Sequence, residues 1–373
     1  MRVSILYKHL PHYRIEFFNG LRSALAQKGV DLNLLYGKNS SVPRRDECDL
    51  DWARPVPNRF CGFGNWSVCW QDVPEDIYES DLIVLMQENK IVSNHVLLAK
   101  ARAKRRKVAF WDHGLNLKAP RNSVGNTIRK MYTASVFWWF AYTEGVKRLL
   151  YSMGFPSDRI TVVQNAIDTR FLREQAAQVS EDELSRLRAS LGISEGPIGL
   201  FCGGMYKEKR LPFLLAACKE IRNSVLGFEM VFIGAGPDSH LISDAARRCD
   251  WVHYVGPKFR SDVVPYMKLA DVFLTPLVGL GILDAFALQK PFITTSYPCH
   301  GPEIEYLING DNGLMTDNSV EAFAAAVVEI LSSDYLRRRI QVGCQKAAMT
   351  YTIEHMVQNY VQGIEKALAT NIS

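Results

Sequence analysis

TPLVGLGILDAFALQKPFIT, residues 275–294, decides how this chain is read. An apolar strand, FLTP, runs into Gly279 and Gly281 and then into an apolar stretch that a helix can use, with one carboxylate, Asp284, near its start. Glycine at a strand end lets the backbone approach a ligand and leaves amide N–H groups free. A helix beginning there adds partial positive charge. The next strand, PFITT (291–295), follows at once, which is the rhythm of a βαβ unit.

That rhythm extends over most of the chain. RVSILY (2–7), DLNLLYG (31–37), DLIVLM (81–86), KVAFWDHG (107–114), WFAYT (139–143) and ITVVQNA (160–166) read as strands separated by helical patterns. A second series comprises PIGLFCGG (197–204), FEMVFIGAG (228–236), VHYVGP (252–257), DVFLTP (271–276), PFITT and GLMT (313–316). Between the series, residues 168–194 are polar and strand-free and read as a linker helix; from about residue 319 the pattern is helical. Residues 38–66, rich in Pro, Gly, Arg and Trp, read as a mobile surface loop. The expected fold is α/β: two Rossmann-like doubly wound domains facing across a cleft, with ligands beyond the carboxyl ends of the strands.

Bulk composition bounds the function. At 373 residues the chain is too long for one ordinary core. Its 47% hydrophobic and 22% charged content is that of a globular protein. Net charge is +5. Residues 1–170 carry about 25 Lys/Arg against about 16 Asp/Glu, so the first half is basic and suits an anionic surface or acceptor. Eight scattered cysteines show neither CxxC nor zinc spacing and suit free thiols in a reducing cytoplasm. The first residues read as a strand rather than a signal peptide, and TASVFWWFAYT (133–143) is too short to span a bilayer. No helix-turn-helix or zinc module accompanies the modest basic charge, so no nucleic-acid partner is expected.

Three strand ends of the second series carry glycines: Gly203 and Gly204 with Lys207, Lys209 and Arg210 beyond, Gly234 and Gly236, and Gly279 and Gly281. Together with a lysine they form a diphosphate cradle, and Asp284 is placed to accept from a ribose diol. In the first series, FWDHG places His113 after Asp112 at a strand end, and HLPHYR places His12, Tyr13 and Arg14 after the first strand. Glu144 reads as a helix-start acid at least as readily as an acceptor contact. Asp49 and Asp51 spell DxD but follow no strand. KARAKRRK (100–107) is a basic run suited to a solvated face or to anionic head groups, and Trp66, Trp70, Trp138 and Trp139 are interfacial or core aromatics.

GGMYKEK with Gly203 and Lys209, VVQNAIDTRFL (162–172) with Asn165 and Asp168, FIGAGP, VHYVGP and HGPEIEYLINGDNGLM (300–315) together resemble the retaining GT-B glycosyltransferases, specifically glycosyltransferase family four, over nearly the whole chain. The resemblance implies an acceptor-binding domain over 1–167, the linker over 168–194 and a nucleotide-sugar domain over 195–350. A final helix over 351–373 is expected to pack back on the first domain. It implies transfer of a sugar, with retention, from a nucleotide diphosphate sugar to a hydroxyl acceptor such as a bacterial surface polysaccharide or lipid-linked saccharide. The site would be cytoplasmic or peripheral on the inner face of the plasma membrane, with no cofactor and no metal. His113 would face the transferred sugar and Lys209 the leaving diphosphate. Donor contacts would come from Gly203, Gly204, Lys207, Arg210, Gly234, Gly236, Pro257, Val278, Gly279, Leu280, Gly281, Asp284 and Glu303; acceptor contacts from His12, Tyr13 and Arg14.

The chain departs from the family pattern at two places. Gly204 stands where the family has an arginine, which Lys207 or Arg210 is placed to replace. Of two family glutamates eight positions apart, the second falls on Asp284 and the first near Pro276, so contacts to donor hydroxyls must come from the backbone at Val278–Leu280 or from Glu303. Other readings on the same fold are an epimerase, which needs no acceptor, a phosphorylase, which needs phosphate, and a non-catalytic nucleotide- or carbohydrate-binding protein.

Overall fold

A computed structural model describes residues 1–39, 48–62, 67–114, 124–193 and 195–371. The chain divides into two compact units, residues 1–167 with 353–373, and residues 168–352.

The first unit is built on an eight-stranded sheet in the order β4-β3-β2-β1-β5-β6-β7-β8. Its strands are β1 (Arg2–Tyr7), β2 (Asp31–Asn39), β3 (Arg54–Cys61), β4 (Val68–Gln71), β5 (Leu82–Leu85), β6 (Lys107–Asp112), β7 (Trp138–Ala141) and β8 (Ile160–Val162). All pairs are parallel except β3 with β4. The strands β5 and β7 are buried along their whole length, as expected where helices cover both faces. Trp138 and Trp139 enter this core, whereas Trp66 lies outside the described residues.

The strand β3 corrects the expected loop over 38–66. Pro55 and Pro57 argue against a strand because they donate nothing to a ladder. Here they sit one strand from the edge, opposite Tyr36 and Lys38 of β2, and the Pro57 carbonyl accepts from Asp72 N. Asp49 accepts from the Tyr36 hydroxyl and Lys38 ammonium, each at 2.8 Å, so the DxD acid is engaged locally.

The last helix, α13 (Ile353–Ala369), belongs to the first unit and packs on α1 (Ile15–Ala26). Its apolar residues Ile353, Met356, Val357, Tyr360, Ile364 and Ala367 recur every three or four positions and are buried. Tyr360 stacks on Phe140 of β7 at 4.2 Å, and a Cβ at Gly363 would lie 2.6 Å from the Phe140 ring.

The second unit holds a six-stranded parallel sheet in the order β11-β10-β9-β12-β13-β14. The strands are β9 (Ile198–Cys202), β10 (Glu229–Ile233), β11 (Val252–Gly256), β12 (Val272–Leu274), β13 (Phe292–Thr295) and β14 (Leu314–Thr316). The order reverses between β9 and β12, the Rossmann arrangement, and the crevice at that reversal is where such sheets take ligands. Among its helices are α7 (Leu211–Ser224), α9 (Val264–Leu269) and α10 (Gly281–Ala287).

The expected linker helix over 168–194 is two helices, α5 (Thr169–Gln178) and α6 (Glu181–Ser190), that pack on α9 and α10 inside the second unit. Extended backbone at Val179 ends α5, and the Ser180 side chain caps α6 by accepting from Glu183 N. Asp168 likewise caps α5, accepting from Arg170 N and Phe171 N. No described helix is long and apolar enough to cross a membrane.

Candidate functional site

Residues 275–280 form the turn from β12 to α10. Residues 275–281 are held from beneath by the segment after β13. His300 Nδ1 accepts from Val278 N at 3.0 Å, and its Nε2–H donates to the Thr295 carbonyl at 2.7 Å. Gly301 N donates to Val278 O at 3.0 Å, and Thr295 Oγ1 donates to Pro276 O at 3.2 Å. Burial, with the charges of Lys209 and Arg210 adding, pushes the His300 pKa down, so the ring serves as one neutral tautomer. Held this way, the amides of Gly279, Leu280 and Gly281 have no acceptor among the described residues.

Side chains from neighbouring strand ends converge on those amides. Lys209, in a short 3-10 turn after β9, donates to Leu277 O at 3.2 Å, and its Nζ lies 4.0 Å from where a Cβ on Gly279 would be. Half-buried Asp284 stands in the first turn of α10 without a hydrogen-bond partner among the described residues, and burial pushes its pKa up to about 7. Cys202, which ends β9, is pushed up to about 12 by burial, with Asp284 adding and Lys209 opposing. Glu303 is 4% exposed, and one carboxylate oxygen lies 2.8 Å from the Cβ position of Gly301, which itself packs 3.6 Å from Gly279 Cα. The acid thus borders the turn.

The other glycine ends act differently from expectation. Gly203 N donates to Ile233 O, Gly234 N to Gly256 O, and Gly236 N to Ser239 Oγ, so their amides are not free for a ligand. The reason is backbone packing between adjacent strand ends. A Cβ on Gly234 (φ 139°) would lie 1.9 Å from Gly203 O, and one on Gly236 2.1 Å from Met205 O. These glycines build the wall, while Gly204, exposed and with an unpaired amide among the described residues, remains open. Val278 is corrected for the same reason, its N–H and carbonyl both being engaged by His300 and Gly301. Pro257 follows the edge strand β11, whose Gly256 carbonyl receives Gly234 N.

Two cations were expected to replace the family arginine. Lys207 is exposed and its ammonium has no partner among the described residues. Arg210 takes left-handed backbone (φ 54°), donates to Asn318 Oδ1 at 2.6 Å and lies over the rings of Phe213 and Tyr297 at 4.3 and 4.5 Å. The tyrosine and asparagine that steady it carried no signal in the sequence reading.

In the first unit the strand order reverses between β1 and β5, where Lys8 and Glu88 form an ion pair. His113 follows β6, next to β5, with a side chain 36% exposed. Asp112 is buried; its Oδ1 accepts from His113 N at 2.6 Å and lies 3.3 Å from His113 Nε2. The imidazole edge meets Tyr142 at 6.2 Å. His12 and Tyr13 occupy the turn after β1, half-buried and edge-to-face at 5.8 Å.

Arg14 does not fit the expected acceptor role. Only 1% exposed, it donates to Asn165 Oδ1 at 2.5 Å and Ala166 O at 3.3 Å, and its guanidinium lies 5.1 Å from the Trp111 ring. It ties the turn after β1 to the segment after β8 and to Met356 of α13. Asn165 is thereby a structural acceptor.

Two units, each built on a sheet whose strand order reverses, fit the expected GT-B fold, and comparison with known structures agrees. The glycosyltransferase from Rickettsia africae superposes with TM-score 0.72 at 15% identity, covering 99% of both chains. The Anabaena protein HepE, in complex with UDP-glucose, superposes with TM-score 0.69 at 13% identity, covering 98% of this chain and 99% of that one. Residues 196–333 match the profile of the family described as Glycosyl transferases group 1. The resemblance to the GT-B glycosyltransferases drawn from the sequence therefore holds, and the second unit carries a group 1 glycosyltransferase domain. A Mycobacterium tuberculosis relative, the GDP-mannose-dependent alpha-(1-6)-phosphatidylinositol monomannoside mannosyltransferase, is 28% identical over 192 residues, 47% of this chain and 48% of the relative. The match spans about half the length of that relative.

Proposed function

We propose that the protein transfers a sugar, with retention, from a nucleotide diphosphate sugar to a hydroxyl acceptor. The observation that carries this reading is the turn at the second sheet's reversal point. Three amides unpaired among the described residues, Gly279 to Gly281, lie in a turn that the Lys209 ammonium borders at Gly279, and Lys209 and Asp284 both act on Cys202 beside it. Amides and ammonium suit a diphosphate; a carboxylate suits a diol.

In the reaction the bond from the sugar C1 to the diphosphate oxygen breaks with its electron pair leaving on the diphosphate. C1 then bonds to the acceptor oxygen, whose proton is released. Lys209 and the amides stabilise the developing charge, an electrostatic contribution worth on the order of 10²-fold or more. In this reading no metal ion is needed, and EDTA is expected to leave turnover unchanged. His113, beside Asp112, orients the transferred sugar.

The mannosyltransferase relative makes GDP-mannose and a lipid-linked acceptor the first pair to test, with UDP-glucose the second donor. The basic first half, with exposed Phe60 and Trp70 on the β3–β4 hairpin, supports work at the inner face of the plasma membrane. The decisive experiment incubates the protein with each donor, with and without acceptor, and measures nucleotide diphosphate released and product anomeric configuration. Acceptor-dependent release with retained configuration is expected; no release from any donor would end the proposal. Binding without turnover is the second reading, favoured by Pro276 where the family has its first glutamate, and the same assay separates the two.

A further inference from the structure

A second charged concavity lies at the other end of the second sheet. A cavity of about 750 Å3 is bounded by Arg173 of α5, Glu181 and Arg188 of α6, Lys268 of α9, and Asp271 and Lys290 in the segments leading into β12 and β13. These residues stand at the strands' amino ends, whereas the Gly279–Gly281 turn stands at their carboxyl ends. The cavity is thus separate from the candidate donor site.

Its charge is unbalanced: four cationic side chains meet two carboxylates, a surplus of two positive charges. One group of each sign is already engaged with the backbone: Asp271 Oδ2 accepts from Ile198 N at 2.8 Å, and Arg188 Nη1 donates to Gly196 O at 3.0 Å. The two lysines are half-buried yet bonded only to backbone carbonyls. Lys268 Nζ donates to Val179 O at 2.7 Å and Lys290 Nζ to Lys268 O at 2.9 Å. Neither has a carboxylate within ion-pair distance among the described residues. Burial pushes the Lys290 pKa down; Asp271 and, less, Glu181 oppose that shift, while Lys268 adds to it. Half-buried ammonium groups without a direct ion pair are costly, and an arriving anion offsets that cost. Arg173 is exposed at the rim and its side chain has no partner among the described residues.

We propose that this cavity binds a phosphate monoester, a small molecule bearing one phosphoryl group. Such a group carries close to two negative charges at neutral pH, which matches the surplus. Arginine and lysine are the side chains that recognise phosphoryl oxygens. The volume lies within the range of small-molecule sites and exceeds what a bare ion fills.

Isothermal titration of the full chain with phenyl phosphate tests the proposal, with phenyl sulfate as the singly charged comparator. Wild type and Lys209→Ala, altered at the donor turn, are expected to bind phenyl phosphate alike. Lys268→Met with Lys290→Met is expected to bind at least tenfold more weakly. Arg173→Glu is expected to do the same, and its exposed position leaves folding intact, so the result does not depend on the buried pair. Phenyl sulfate is expected to bind wild type several-fold more weakly. Unchanged binding in both cavity variants, loss of binding in Lys209→Ala, or no heat from wild type at millimolar phenyl phosphate would each overturn it.

Discussion

His300 Nδ1 accepts the Val278 N–H at 3.0 Å, so one buried imidazole fixes the turn whose next three amides are left unpaired. Replacing His300 by alanine leaves the Val278 donor buried and unsatisfied, a loss of about 1–3 kcal/mol. The expected outcome is a lower urea midpoint and a higher donor KM. His300→Gln, with an acceptor oxygen of its own, is expected to recover part of both. Equal donor KM in His300→Ala and wild type would separate the imidazole from the donor turn.

Lys209 donates to the Leu277 carbonyl and lies over the Tyr206 ring. Lys209→Ala is therefore expected to fold normally and to lose on the order of 10²-fold in kcat. Steady-state kinetics at saturating donor reads this directly. A change within twofold would remove the lysine from the leaving-group role.

Asp284 gives a pH signature. Burial raises its pKa from 3.8 to about 7, so between these values the unfolded chain ionises while the folded carboxyl stays neutral. The folded state is fully favoured below about pH 4, loses stability as pH rises towards 7, and pays a constant penalty above that. Asp284→Asn removes the titration. Its melting temperature is expected to match wild type at pH 4 and to exceed it at pH 8, while donor affinity falls.

Two glycines differ in what a methyl group would meet. Gly234→Ala places Cβ 1.9 Å from the Gly203 carbonyl at φ 139°, so a loss of more than about 3 kcal/mol is expected by denaturant unfolding. Gly279→Ala meets only the Lys209 ammonium, at 4.0 Å. Its stability is expected to stay within about 0.5 kcal/mol of wild type, with a raised donor KM as the methyl occupies the approach to the amides.

His113 is partly exposed and Asp112 beneath it is not. His113→Ala is expected to depress transfer with little change in melting temperature, whereas Arg14→Ala is expected to destabilise without a specific kinetic defect. The reversed pattern would exchange their roles.

Six of the eight strands of the first sheet and all six of the second were legible because buried parallel strands are continuously apolar, as LIVL in β5 and IGLFC in β9 illustrate; β3 and β4 were not. The strand β3 was hidden by its prolines, tolerable only because of where it sits in the ladder. Glycines at strand ends marked the site's neighbourhood but not their own uses. Whether an amide faces a ligand, as at Gly279, or a neighbouring carbonyl, as at Gly203, depends on which strands are adjacent, and sequence does not show adjacency. Arg14 misled for a related reason: its partners Asn165 and Met356 are 151 and 342 positions away. His300 was detectable in principle as a histidine just before the Gly-Pro at a strand end, but its task needed the Val278 distance.

Tyr360 and Gly363 press against Phe140, and the first unit is finished by residues that follow the whole second unit along the chain. On a ribosome, the stretch from 168 to 352 has all its own layers in hand before that final segment emerges. Residues 1–167 therefore cannot close over Phe140 with Tyr360 until the second unit has been made.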